Sequence, residues 1–456
     1  MISGPDLVEA ALAASTADET IVLVTDTEEA ALRWAGNSMT TNGSTRSRTV
    51  TVIAVRRTAA GARCGIVTAS LLNHREIIAV VGAADAAART APPAADATDL
   101  VPGDGTPHDW DNPTEHTGIH VFDPVIASLA HGFDGSDVLY GFAEHQVHST
   151  WLGTSTGLRR RWIQRDGSIE ITGKRGGLDG ASAWVGAGTT DFTDVRTDRL
   201  LEDLSRRLDW AATSVTLPAG RYETVLPPSA VADLMIYLMW SMEGRSAHEG
   251  HTVWSGPRGT RLGDTLTDLP LTLTSDPAAP GLRYAPFVTA TASSDAVSIF
   301  DNGLPAGRVD WIRDGAVHAL TYPRAAAAEF AATPTAPGRN LLLTGGSAAT
   351  LDEMIAGTER GLLLTTLWYL RDVDPASLLL TGLTRDGVYL IEDGRVRGAV
   401  GNFRFNESPV TLLGRATEVG ATERTLPREW KDWFTRTSMP PMRIPDFHMS
   451  SVSAAH

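Results

Sequence analysis

Apolar positions in the first part of this chain recur with two different spacings, and the switches between them outline its elements. A helical pattern opens at Pro5, with Asp6 and Glu9 in its first turn and Val8, Ala11 and Leu12 on one face. Residues 20–24 are rich in β-branched side chains and read as a strand, whereas 28–35 fit either a short helix or a second strand. Residues 50–55 and 63–68 predict two paired strands about a turn at 59–61. Asn73, with Glu76 three residues on, predicts a capped helix that buries Ile77, Val80, Val81 and Ala84. Together these make a two-layer α/β unit over residues 1–89.

From 90 to 118 the chain is rich in Pro, Asp and Gly, and no regular element is expected. His108, Asp109, Asp111, Glu115, His116 and His120 crowd its second half, but their spacing matches no closed zinc pattern, so a solvated loop is expected. Asp123-Pro124 then opens a helix that Gly132 ends. Strands are predicted over 138–151, 162–164, 168–171 and 181–185, with Asp166-Gly167 as a hairpin turn. Alternation along a strand puts His145 and His148, three apart, on opposite faces, so they cannot easily share a metal. The run Arg159-Arg160-Arg161 reads as a solvated face. Residues 198–211 form the clearest amphipathic helix of this region, which spans 90–213.

A third region, 214–456, reads as mostly β. A strand over 215–226 is broken at Pro218–Gly220, and a helix follows from Pro228 with a broad apolar face of Val231, Leu234, Met235, Leu238, Met239 and Met242. Strands are expected at 269–274 and 297–300, a hairpin at 311–320 around Asp314-Gly315, and a short Ala-rich helix at 323–331. Thr350 with Glu353 is a capping box. Residues 361–409 read as a meander of three strands, with tight turns at Asp386-Gly387 and Asp393-Gly394. The tail from 440 is apolar enough to be packed.

Composition narrows the function classes. The chain has 456 residues, 43 Gly, 25 Pro and a formal net charge of −15. Such an acidic surface repels phosphate backbones and disfavours nucleic acid as a partner. The single cysteine, Cys64, permits no intrachain disulfide, which fits a cytoplasmic location. Its neighbours suggest an ordinary strand rather than a reactive thiol. No basic start precedes an apolar run, and no stretch approaches the length of a membrane span, so neither a signal peptide nor a membrane helix is expected.

Several segments together resemble one family. DPASLLLTGLTRDGVYLIEDG (374–394) and NFRFNESP (402–409), within a signature over 358–409, resemble the C-terminal signature of the TldD/PmbA family, also called TldD/TldE. RWAGNSMTTNG (33–43), STGLRRRW (155–162), PAGRYETVLPPSAVADL (218–234), FDNGLP (300–305) and TERGLLLTTLWYLRDVDP (358–375) fit in the same order. The family is implicated in zinc-dependent peptide cleavage, and part of it carries a label linking it to DNA gyrase. In its catalytic type, the helix after the broken strand carries His-Glu-x-x-x-His, followed by Glu-Gly. Glu243-Gly244 resembles that pair, and residues 252–256 resemble the strand beyond it. In this register the His, Glu and His positions hold Met235, Ile236 and Trp240. Thioether, alkyl and indole groups supply neither zinc ligands nor a base. The catalytic type also uses a cysteine from its C-terminal domain, and none follows Cys64.

The resemblance therefore implies an α+β protein, with an N-terminal mixed α/β domain and a β-rich, barrel-like C-terminal domain. It implies the subunit of a zinc metallopeptidase that holds no zinc itself, paired with a TldD-like subunit that does. Peptides would be the substrate, and this chain would wall their channel. Candidate channel residues are Asp301, Asn302, Arg404, Asn406 and Glu407, although each also suits turn formation or internal bonding. Two alternatives stay open. One is a self-sufficient metallopeptidase using His248, Glu249 and His251, whose H-E-G-H spacing differs from His-Glu-x-x-His. The other is a peptide-binding or assembly module. A homodimer is also open.

Overall fold

Long alternating stretches in the first half become strands far longer than the usual five or six residues. The computed structural model describes residues 2–59, 61–70, 74–177, 180–257 and 259–453. Helix α1 (Gly4–Ala14), capped by the Ser3 hydroxyl, leads into β1 (Glu19–Ala35), β2 (Met39–Thr58), β3 (Gly61–Ala69) and α2 (His74–Thr90). After the long loop come α3 (Asp123–Phe133), β4 (Val138–Thr154), β5 (Arg159–Arg175), β6 (Ala181–Thr189) and α4 (Thr197–Ala211). The six strands form one antiparallel sheet in the order β3-β2-β1-β4-β5-β6. Residues 28–35 prove to be the second half of β1, because Ala30, Leu32 and Trp34 are buried at period two. The even positions of β1 meet the helices: Val22 and Val24 pack with α1 and α2, and Ala30, Leu32 and Trp34 with α3 and α4. Its odd positions Ile21 and Leu23 face Phe287, Ile299 and Phe300 from the second half. The proposed cap Asn73 lies outside the described residues.

Two expectations for this half are corrected. Asp166-Gly167 is not a turn but the middle of β5, where Gly167 pairs with both His145 and Thr189. A side chain at Gly167 would meet the Phe192 ring and the Thr189 methyl at 3.0 Å, so glycine is there for room. The Arg159–Arg161 run is not a solvated face. Arg159 pairs with Glu9, Arg160 with Asp104, and Arg161 with Asp109 and the carbonyls of Asn112 and Pro113. The Arg161 guanidinium also lies 5.5 Å from the Trp151 ring centroid. Arg160 and Arg161 strap the irregular 90–118 segment onto the sheet, and Arg159 ties the sheet to α1.

The second half contains β7 (Ser214–Val215), β8 (Gly220–Leu226), α5 (Pro228–Trp240), α6 (Gly244–His248), β9 (Ser255–Gly256), β10 (Gly259–Thr260) and β11 (Thr272–Ser275). It continues with β12 (Val309–Arg313), β13 (Ala316–Val317), α7 (Arg324–Phe330), β14 (Leu341–Thr344) and α8 (Leu351–Ala356), the last opened by the expected Thr350–Glu353 capping box. Then come β15 (Arg360–Leu364), β16 (Trp368–Asp374), β17 (Leu379–Leu383), β18 (Val388–Glu392), β19 (Arg395–Val400), β20 (Phe403–Glu407) and α9 (Pro409–Arg415). Four strands close the chain: β21 (Glu418–Val419), β22 (Glu423–Thr425), β23 (Thr437–Met439) and β24 (Met442–Val452). One sheet runs β13-β12-β11-β14-β23-β22 and a larger one β16-β17-β20-β24-β8-β15-β18-β19-β7. The fold is α+β, and the tail is packed as β24 between β20 and β8.

The expected three-strand meander over 361–409 is corrected to a different object. Asp393-Gly394 turns the β18–β19 hairpin, and residues 384–387 do form a tight turn, with the Gly387 N–H donating to the Thr384 carbonyl, but it joins no hairpin: β17 pairs with β16 and β20, not with β18. β15 pairs with β18 and β16 with β17, so residues 360–392 form one long interrupted ribbon. Its halves take different neighbours, β8 and β19 for one and β20 for the other. The sheet therefore curls back toward itself in a barrel-like way without closing into a barrel. Residues 297–300 are likewise not a strand: Ser298 caps a 3-10 turn, Ile299–Asp301. Of 252–256, only β9 is extended.

We expect Arg161→Ala to lower stability by about 2 kcal/mol or more, since a nearly buried cation then leaves a carboxylate and two carbonyls without their donor. Arg160→Ala, whose partner Asp104 is exposed, should do much less; denaturant titration of both variants checks the contrast.

Candidate functional site

The site suggested by the sequence centres on α5. Pro227 is extended and Pro228 stands at the first helical position, which starts the helix directly from β8. Ala230 to Ile236, Leu238 and Met239 are all buried, so this helix is apolar nearly all round. Met235 and Ile236 sit inside that core, 2% and 0% exposed, while Trp240 reaches the surface at 39%. The helix ends where the Ser241 hydroxyl donates to the Leu238 carbonyl and accepts from the Trp254 indole N–H. The backbone then turns through Glu243 into α6. Gly244 is fixed there by packing, because a Cβ would lie 2.1 Å from the Tyr322 ring.

One carboxyl occurs in the interior of α5. Asp233 is fully buried and accepts from the backbone N–H of Glu429 (2.9 Å), Trp430 (3.3 Å) and Arg428 (3.2 Å). The Trp430 indole donates to the Asp233 carbonyl at 3.0 Å. Burial pushes the Asp233 carboxyl well above its ordinary range, against the pull of those three N–H groups. This knot pins the segment 428–430 along the helix.

An aromatic surface grows from the knot. The Trp240 ring stands 5.1 Å from Trp430 and 6.4 Å from Phe434, and Tyr237 lies 5.7 Å from Trp430. Trp433, 74% exposed, stacks at 6.4 Å on Trp430. Nearby, Arg428 lies 4.7 Å from Trp184 and 5.1 Å from Trp368. Glu429 accepts from the N–H groups of Tyr369 and Leu370, blocking part of the outer edge of β16. Sequence reasoning missed this surface. Its signal was the segment REWKDWF (428–434), which carries three aromatic side chains in seven residues.

The other candidates separate in space. His248 lies flat on the Phe330 ring, centroids 4.2 Å apart at 5°, and His251 is exposed near Glu249. Glu249 itself pairs with Arg245. Asp301 and Asn302 are buried. Asp301 pairs with Arg324 and accepts its backbone N–H at the start of α7, and Asn302 bonds the backbone of Ala290 and Ile299. Along β20, Glu407 points inward to Arg415 and the His448 N–H, while Arg404 and Asn406 are on the other face. His145 and His148 do take opposite faces: His145 bonds Thr117 and the Thr190 carbonyl, and His148 bonds Thr27 and Gln146. His116 of the long loop bonds Glu28. Burial pushes the Cys64 thiol up to about 11, so it is not ionised at neutral pH. Among the described residues no three His, Cys, Asp or Glu side chains gather as a metal-sized group.

With this geometry, comparison with known proteins places the chain. Residues 219–451 match the family described as PmbA/TldA metallopeptidase C-terminal domain. Among solved structures, TldE from Thermococcus kodakarensis aligns at TM-score 0.78 and 16% identity, over 97% of this chain and 98% of that one. A protein from Thermotoga maritima described as a modulator of a DNA gyrase aligns at 0.73 and 13%, over 94% and 95%. One from Bacteroides thetaiotaomicron, described likewise, aligns at 0.74 and 14%, over 98% and 97%. At these identities the likeness is one of fold. No curated protein matches the sequence.

Asp233→Ala should cost about 2–4 kcal/mol, because three buried N–H groups lose their acceptor, and Asp233→Asn should cost less; chemical denaturation measures both. Burial lowers the pKa of His145 and of His148, so each holds its proton less tightly folded than unfolded. Their contribution is full above the unfolded value near 6.5 and is lost as pH falls below it. Accordingly, between pH 7 and 5 the wild type should lose more stability than His145→Gln.

Proposed function

This chain belongs to the PmbA/TldA metallopeptidase family, and we propose that within it the chain is the subunit that holds no metal and forms part of the peptide path for a zinc-bearing partner. The observation that carries the reading is the interior of α5. Hydrolysis on zinc needs two imidazoles or carboxylates and a base at the turn that Met235, Ile236 and Trp240 occupy. Met235 and Ile236 are packed in hydrocarbon, and the indole of Trp240 offers no lone pair. The residues present do not fit zinc, and no hydrolytic step is assigned to them.

In this reading a TldD-like subunit with His-Glu-x-x-x-His supplies zinc and chemistry, and small or unfolded peptides are the substrate. The exposed rings of Trp240 and Trp433, backed by buried Trp430, with Arg404 and Asn406 on the outer face of β20, give this chain apolar and polar groups for an extended peptide. A cytoplasmic location is part of the reading. Among the described residues no helix is long and apolar enough to cross a membrane. Nucleic acid is not a partner in this reading, given the net charge of −15.

The test is zinc content by elemental analysis, of the chain purified alone and of the chain co-expressed with a His-Glu-x-x-x-His relative. Zinc near one per pair, found only in the co-purified complex and accompanied by peptidase activity, is the expected result. About one zinc per chain in the lone protein would overturn the reading and return attention to His248 and His251.

A further inference from the structure

A cavity of about 600 Å³ lies apart from α5, between two loops of the second half. One wall is residues 304–309. It is pinned by Val288 N–H to the Leu304 carbonyl (2.9 Å) and Ala306 N–H to the Pro286 carbonyl (2.8 Å). The other wall is residues 331–336. It is pinned by paired bonds between Tyr322 and Thr335 at 3.0 and 2.9 Å. Both walls are therefore preformed, and the volume falls in the range of small-ligand sites.

The charges in this cavity are unlike those of the rest of the protein. Its one acidic lining residue is Asp310, buried on β12. Arg308 and Arg313 both pair with that single carboxylate, at 3.0 and 2.8 Å, and Thr274 donates to it at 2.9 Å. Burial alone would raise the Asp310 carboxyl, but Thr274, Arg313 and Arg308 outweigh it and hold it below its ordinary value. Two guanidiniums on one carboxylate leave a net positive charge, held in place from beneath, with N–H donors left over on half-exposed side chains. Exposed His318 lines the same cavity. The remaining lining residues are mostly apolar in type, including Leu262, Leu304 and Leu320, and are interspersed with Tyr284, Tyr322, Thr333 and Thr335, so that the cavity surface is polar and apolar in nearly equal parts.

We propose that this cavity receives the C-terminal carboxylate of a short apolar peptide, with Arg308 and Arg313 binding the carboxylate and the apolar walls taking the last side chains. The choice of a peptide as the carboxylate's carrier rests on the peptide-handling reading above. The positive charge and the apolar lining do not depend on it.

The test is calorimetric titration of the purified full chain with N-acetyl-Leu-Ala-Leu as the free acid and as the C-terminal amide. The free acid should bind at least about tenfold tighter, the loss expected when a charge-assisted bond is removed. Arg308→Gln with Arg313→Gln should abolish that preference, and Ala306→Trp should block both ligands by filling the cavity. Equal affinity for acid and amide overturns the proposal. So does acetate or inorganic phosphate binding as tightly as the peptide, since the site would then be a simple anion site. The lone chain without zinc is used throughout, so the result stands apart from the metal measurement that tests the subunit reading.

Discussion

Helix α5 is buried on nearly every side, and that constraint governs what surrounds it. A helix in such a place cannot carry an ionisable group without a dedicated partner, because an unpaired buried charge costs several kcal/mol. Its single carboxyl, Asp233, is met by three consecutive backbone N–H groups from 428–430. Those bonds fix the segment that holds Trp430 and lead on to Trp433 and Phe434. The aromatic surface, the blocked edge of β16 and the stacking of Arg428 between Trp184 and Trp368 all depend on where that segment lies. Because Trp184 belongs to the first sheet, the knot on α5 also reaches the N-terminal half.

Much of this fold was legible in the sequence, and the errors share a physical cause. Helix starts were read well where capping chemistry is local, as at Pro5, Pro228 and the Thr350–Glu353 box. The Asp-Gly pairs divide into two kinds. Asp314-Gly315 and Asp393-Gly394 take positive φ at both residues (48° and 79°, 51° and 72°) and make the predicted hairpins. Asp166-Gly167 and Asp386-Gly387 have no positive φ. Gly167 makes room for Phe192, and Gly387 for Thr366, whose Cβ would be 2.5 Å away. The dipeptide reports a small residue; whether backbone freedom or close packing requires it depends on neighbours far away in sequence. The arginine run failed similarly, since its carboxylate partners Glu9, Asp104 and Asp109 lie 150, 56 and 52 residues away.

The site was less legible than the fold. Met235 and Ile236, which the resemblance sets at two motif positions, are buried as ordinary core side chains. Asp301, Asn302 and Glu407 were candidate channel residues that equally suited internal bonding; in the structure each anchors another element, α7, the 290 segment and α9. The cavity between 304–309 and 331–336 had no sequence signal at all, because its walls meet only in the folded sheet.

The three residues that the resemblance sets at motif positions differ in burial. Trp240 stands at the exposed end of α5, where exchange of a side chain disturbs little packing. Met235 and Ile236 are different: an imidazole or carboxylate there would need hydrogen-bond partners that the surrounding hydrocarbon does not offer. Met235→His or Ile236→Glu would each bury an unsatisfied polar group, whereas Trp240→His would not. Polar groups at positions 235 and 236 are thus opposed by the packing of α5, while position 240 is free of that constraint.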